Sequence, residues 1–180
     1  MEKFRRLEST ALPIPRANVD TDQIVPARYL KKPRSDNFGE YLFRDLRQVL
    51  DEKNYAGARI VVAGRNFACG SSREQAVWAL YDYGFRAAIA PSFGDIFSSN
   101  ALKNGFLPVV LPEPVVSEIL SSLKPGNTIQ IDLEKQTVND LHRFEIAPFA
   151  KKCLLEGLDE IDFTLSQAGR IADFEKSYRP

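Results

Sequence analysis

The chain has 180 residues with 24 basic and 24 acidic side chains, so its formal charge is zero and no basic stripe marks it for nucleic acid. Hydrophobic residues make up 44 %, which suits a single domain over residues 1–180 with a helical C-terminal part from about 149, and no apolar run is long enough to span a bilayer. One histidine and two distant cysteines, Cys69 and Cys153, exclude a disulfide framework and a self-contained iron–sulfur site; with no apolar leader after Met1, the expectation is a reducing cytoplasm.

Residues 1–17 carry Pro13 and Pro15 and predict an extended lead-in segment. Leu12 to Val25 predicts strand and turn, with Asp20-Thr21-Asp22 in a loop and Pro26 ending a strand or starting a short helix. Lys31–Gly39 is polar and turn-rich and predicts a flexible loop; Tyr41 to Leu50 predicts a short helix, and Asp51–Ala58 a turn. A buried strand over 59–63 leads through a loop to a helix over 72–83, with Gly84 where a helix end wants a left-handed residue. A strand over 87–90, a helix over 93–104, a strand over 107–111 and a helix over 114–123 follow. This alternation predicts an α/β fold with a parallel sheet. Thr128–Leu133 alternates as a strand with Leu141–Ile146 as antiparallel partner, and helices with breaks near Gly157 and Gly169 occupy the chain from Phe149.

The run Asn66-Phe67-Ala68-Cys69-Gly70-Ser71-Ser72-Arg73-Glu74 joins strand 59–63 to the next helix. The first N–H groups of a helix lack intrahelical partners and carry partial positive charge, so two hydroxyls and a guanidinium there suit a carboxylate or phosphate. Ser71 with Glu74, and Ser72 with Gln75, also fit the capping box, and on spacing alone capping and anion binding are equally good readings. For Arg73 the plain alternative is a surface ion pair with Glu74 or Asp82; for Asp20-Thr21-Asp22 it is an Asx turn. The cluster Arg28, Lys31, Lys32 and Arg34 reads as a solvated loop or as substrate-facing. Gly64 to Gly70 lacks the glycine spacing of a dinucleotide-binding turn.

Four ordered stretches, Asn18–Leu30, Asn66–Leu80, Tyr83–Phe97 and Asn100–Val109, resemble the small subunits of 3-isopropylmalate dehydratases, which are similar to the mobile swivel domain of aconitase. The resemblance implies a swivelling β/β/α domain. It implies a catalytic pair, Ser71 as base and Asp22 as the carboxylate that positions catalytic groups. Ser72, Arg73, Arg34 and Thr21 would be the substrate-binding residues. It further implies a hydro-lyase of leucine biosynthesis that interconverts 2- and 3-isopropylmalate, active only with a large subunit that carries a [4Fe-4S] cluster. This chain would then bind no metal of its own. Gln75 and Val77 depart from the family's usual His and Pro, and Ser35-Asp36-Asn37-Phe38-Gly39 replaces its usual Arg-Thr-Gly-Phe-Gly. These departures leave open a paralogue acting on citraconate, dimethylmaleate or a related diacid; a stand-alone anion-binding module is the remaining alternative.

Overall fold

The structure is a computed structural model and describes residues 1–178. One sheet of seven strands runs through it in the order β4-β3-β2-β1-β5-β6-β7. Strands β1 (Arg6–Ile14), β2 (Ile60–Ala63), β3 (Ala87–Ala90) and β4 (Leu107–Val110) are parallel; β5 (Thr128–Asp132), β6 (Thr137–Val138) and β7 (His142–Arg143) add antiparallel. The α/β class expected from strand–helix alternation is the class observed.

β1 is the hinge of this arrangement. Its first half, Arg6–Thr10, runs antiparallel to β5, and its second half, Ala11–Ile14, runs parallel to β2. Strand was expected only from Leu12, after an extended lead-in, whereas β1 already begins at Arg6. Pro13 lies in the half that pairs with β2 alone. A strand with one neighbour leaves alternate N–H groups unclaimed, and a residue with no N–H fits there. Pro108 sits on β4, the edge strand, for the same reason.

β2 and β3 read Ile-Val-Val-Ala and Ala-Ala-Ile-Ala and are buried on both faces, as parallel strands between helical layers must be. Val61, Ala63, Ala88 and Ala90 face a core shared with Leu80, Phe67 and Phe97, built from α3 (Glu74–Tyr83) and α4 (Asp95–Lys103). Ile60, Val62, Ala87 and Ile89 face a second core with Val116 of α5 (Glu113–Ser122) and Leu154 of α6 (Pro148–Glu156). Leu80 is fully buried, and its truncation to alanine would cost about 2–5 kcal/mol.

Several local expectations are corrected. Asp20 is an N-cap: it accepts from the Gln23 N–H (2.8 Å), Gln23 Oε1 accepts from the Asp20 N–H (3.0 Å), and this capping box starts α1 (Thr21–Ile24). Tyr41 to Leu50 is a set of turns flanked by two short 3-10 segments, Phe38–Tyr41 and Arg47–Leu50, and the predicted turn at 51–58 contains α2 (Glu52–Tyr55). β5 pairs with β1 and β6, and β7 reaches the sheet through β6, so 141–146 is not the direct partner of β5. Gly157 does end α6, at φ +74, but Gly169 lies inside α8 (Ala168–Ser177), and the break from α7 (Glu160–Ser166) falls at Gln167.

Candidate active site

Parallel strands deliver their following loops to one edge of the sheet, and in open α/β sheets ligands gather outside the carboxyl ends of the strands. Three loops meet there: 15–20 after β1, 64–73 after β2 and 91–94 after β3. The Asn66 N–H donates to Ser92 Oγ (2.9 Å), and Asn66 Nδ2 donates to Asn18 Oδ1 (2.8 Å). The Phe67 N–H donates to the Ser92 carbonyl and the Gly94 N–H to the Phe67 carbonyl, each at 3.0 Å. Phe67 is fully buried edge-on to Phe93 and Phe97, which pins the loop from beneath. Asn66 and Ala68 both take positive φ, so the loop is tightly wound before it reaches Ser71.

α3 begins at Glu74, with Arg73 as an N-cap that makes no side-chain cap. Ser71 and Ser72 therefore lie outside the helix and exposed, and the capping-box reading of both serines is overturned. The spacing was satisfied, but the chain at 70–73 is drawn aside by α1. Thr21 Oγ1 donates to the Ser71 carbonyl oxygen (2.9 Å) and the Thr21 N–H to the Cys69 carbonyl (3.0 Å). Arg73 donates through Nη1 and Nη2 to the two carboxylate oxygens of Asp22, the latter at 2.8 Å, and Nη1 also reaches the Val25 carbonyl (3.3 Å). Neither Glu74 nor Asp82, the partners of the plain alternative for Arg73, takes that role. The guanidinium is 10 % exposed while Asp22 is 56 % exposed. The hydrogen bond from Arg73, then its charge and the N–H of Ala27, hold the Asp22 carboxyl below the usual carboxylate range against some desolvation.

Five of the six expected site residues thus share one place. Ser71 and Ser72 are open to solvent, Arg73 and Asp22 form a forked pair, and Thr21 is buried with its hydroxyl committed to Ser71. Arg34 is placed elsewhere. It donates to both oxygens of Asp82 (2.8 and 2.9 Å) and lies over the Trp78 ring at 5.1 Å. Asp82 stands nine residues along α3 from Arg73, about 13 Å at the helical rise. The expected flexible loop is fastened here: Asp82 also accepts from the Phe38 N–H (3.0 Å), and Phe38 and Gly39 are buried against α3. Arg28 pairs with Asp45, and Lys31 and Lys32 are exposed. Gln75 Nε2 donates to the Leu30 carbonyl (3.3 Å), tying α3 to the same segment.

An open cleft of about 210 Å³ lies beside Ser71, walled by Gly94, Asp95, Ile96 and Phe97. All four close the Tyr83–Phe97 stretch that carries part of the family resemblance, but none was expected as a site residue. The stretch is legible in the sequence, but the closeness of Gly94 to the serine loop is a tertiary fact.

The family described as aconitase C-terminal domain matches residues 1–114, which cover the four parallel strands. The chain is 46 % identical to the 3-isopropylmalate dehydratase small subunit of Rhodospirillum centenum, over 99 % of this chain and 96 % of that one. It is 49 % identical to the subunit of the same name from Erythrobacter litoralis, over 97 % and 91 %. A crystal structure of 3-isopropylmalate dehydratase from Methanocaldococcus jannaschii shares the fold with a TM-score of 0.71 at 28 % identity, covering 94 % of this chain and 99 % of that one. The chain belongs to the 3-isopropylmalate dehydratase small-subunit family.

Proposed function

We propose that this chain is the small subunit of a hydro-lyase that interconverts 2-isopropylmalate and 3-isopropylmalate by loss and return of water, in leucine biosynthesis. The observation that carries the reading is the Ser71-Ser72-Arg73 tripeptide at the carboxyl edge of the sheet, with a guanidinium already holding a carboxylate in a two-pronged grip. Arg73 and the helix beginning at Glu74 favour anions near Ser71. Ser71 would take the proton from the carbon next to a substrate carboxylate, its alkoxide stabilised by that positive surrounding. Ser72 would bind the carboxylate together with Arg73, whose fork would have to share or release Asp22 to do so. The names of the relatives favour isopropylmalate over the citraconate or dimethylmaleate paralogue.

Among the described residues no three His, Cys, Asp or Glu side chains stand together as a metal site, and a cluster needs about three or four thiolates. The residues present do not fit a [4Fe-4S] cluster, and we place it on a large subunit, where it would supply Lewis-acid assistance to the leaving hydroxyl. No helix of the described residues is long and apolar enough to cross a membrane. The two free thiols suit a reducing cytoplasm, which we propose as the compartment.

The test is anaerobic reconstitution with the large subunit and assay on isopropylmalate, citraconate and dimethylmaleate. Turnover of isopropylmalate above the others is expected. Ser71→Ala should abolish it while leaving unfolding free energy within about 0.5 kcal/mol, because Ser71 is exposed and caps nothing. Preference for citraconate would sink the substrate assignment, and near-native kcat in Ser71→Ala would remove Ser71 as the base.

A further inference from the structure

We propose that Thr21 is a positioning residue for the reaction: it sets the place of Ser71 through the Ser71 carbonyl and never touches substrate. The inference rests on the reading of Ser71 as the base. Thr21 is the first residue of α1 and 2 % exposed. Its hydroxyl donates to the Ser71 carbonyl (2.9 Å) and its N–H to the Cys69 carbonyl (3.0 Å). One residue further on, Asp22 holds the Arg73 guanidinium, which also donates to the Val25 carbonyl. A single helical turn therefore grips the Ser71-Ser72-Arg73 tripeptide at both ends. Gly70, at φ +88, turns the chain into this grip through a left-handed conformation that side-chain-bearing residues rarely adopt.

This arrangement divides the work between two attachments. Asp22 and Val25 fix the group that holds the substrate carboxylate. Thr21 fixes the group that takes the proton. The separation of base and carboxylate clamp is then set by α1 rather than by the exposed loop that carries them. Removal of the Thr21 hydroxyl leaves the Ser71 carbonyl to water and frees the loop at one end, while Arg73 stays held. Misplacement of a reacting group by about 1 Å can cost about 100-fold in rate, so the loss belongs in kcat and not in substrate binding.

The experiment uses the anaerobically reconstituted complex with isopropylmalate and compares Ser71→Ala, Thr21→Val and Thr21→Ser. Valine keeps the shape without the donor; serine keeps the donor. Thr21→Val should lower kcat about 10- to 100-fold with KM changed less than about 3-fold, and Thr21→Ser should stay within about 3-fold of wild type. Amide exchange at residue 21 and at Cys69, whose N–H groups bond across the two segments, should quicken in Thr21→Val with α3 unchanged. Wild-type turnover in Thr21→Val, equal loss in Thr21→Ser, a matching rise in KM or a global loss of exchange protection would each overturn the role. An active Ser71→Ala would refute the base reading itself; an inactive Ser71→Ala beside a fully active Thr21→Val would refute only the part given to Thr21.

Discussion

Asp22 and Arg73, 51 positions apart, face each other as a forked ion pair in which the cation is nearly buried and the carboxylate is half open to water. The pair has the shape of an arginine bound to a ligand carboxylate. Both terminal nitrogens of Arg73 are thereby committed to Asp22.

Asp22→Asn keeps the size of the side chain and removes its charge. Arg73 would lose its carboxylate partner while remaining 10 % exposed. Exposure of Asp22 tempers the loss, so about 1 kcal/mol of stability is the expected cost. Substrate binding should weaken about 10-fold, through a guanidinium left less well placed. Denaturant unfolding and a substrate titration check both, and a variant matching wild type in both would return the pair to surface decoration.

The same pair makes a pH prediction. The Asp22 carboxyl titrates below its ordinary 3.8 in the folded chain because Arg73 donates to it. Its stabilisation is full above the unfolded value and lost as pH falls through the lower folded one. The stability difference between wild type and Asp22→Asn should therefore be constant from about pH 5 to 8 and shrink below about pH 4. A difference that grows on acidification would contradict the assignment.

Gly94 and Gly169 should answer alanine oppositely. At Gly94 a Cβ would stand 2.5 Å from the Ala68 carbonyl oxygen, with backbone angles (φ −61°, ψ 133°) that alanine accepts, so the cost is steric alone. We expect about 1–3 kcal/mol lost on overpacking, together with turnover, because Ala68 leads into the serine loop. Gly169 has nothing within 4 Å and lies in α8, where alanine should add about 0.5–1 kcal/mol. Thermal unfolding and activity of the two variants measure the contrast.

What the sequence made legible follows from how local each cause is. β2, β3, α3 and α4 were readable because Ile60–Ala63, Ala87–Ala90 and the helical spacing of Ala76, Val77 and Leu80 carry their own periodicity. Of β1 only the end from Leu12 was legible, because the half Arg6–Thr10 is made a strand by pairing with β5, more than 110 positions later. The serines were misread as caps because the bonds that pull them off the helix come from Thr21 and Asp22, some 50 positions earlier. Arg34 could not be placed for the same reason: its partner Asp82 is 48 positions away.

The two thiols should react at different rates. Cys153 is buried in α6, and burial first, then the charges of Glu156 and Glu160, push its thiol up from the ordinary range. Cys69 is half-buried beside the serine loop. Iodoacetamide at neutral pH should label Cys69 in the folded chain and Cys153 only after unfolding, as read by mass spectrometry. Equal labelling would show that α6 opens readily.

The central place of β1 has a consequence for synthesis on the ribosome. Arg6 pairs with Asp132 and Thr10 with Thr128, so the first strand made keeps half of one side unpaired until β5 has been translated. At about 5–20 residues per second that wait is on the order of ten seconds. The parallel half can assemble while the chain is still growing, but the sheet cannot be completed before that late strand arrives. For that interval a nascent β1 offers its bare backbone to any passing strand, and a ribosome-associated chaperone would find its natural substrate there.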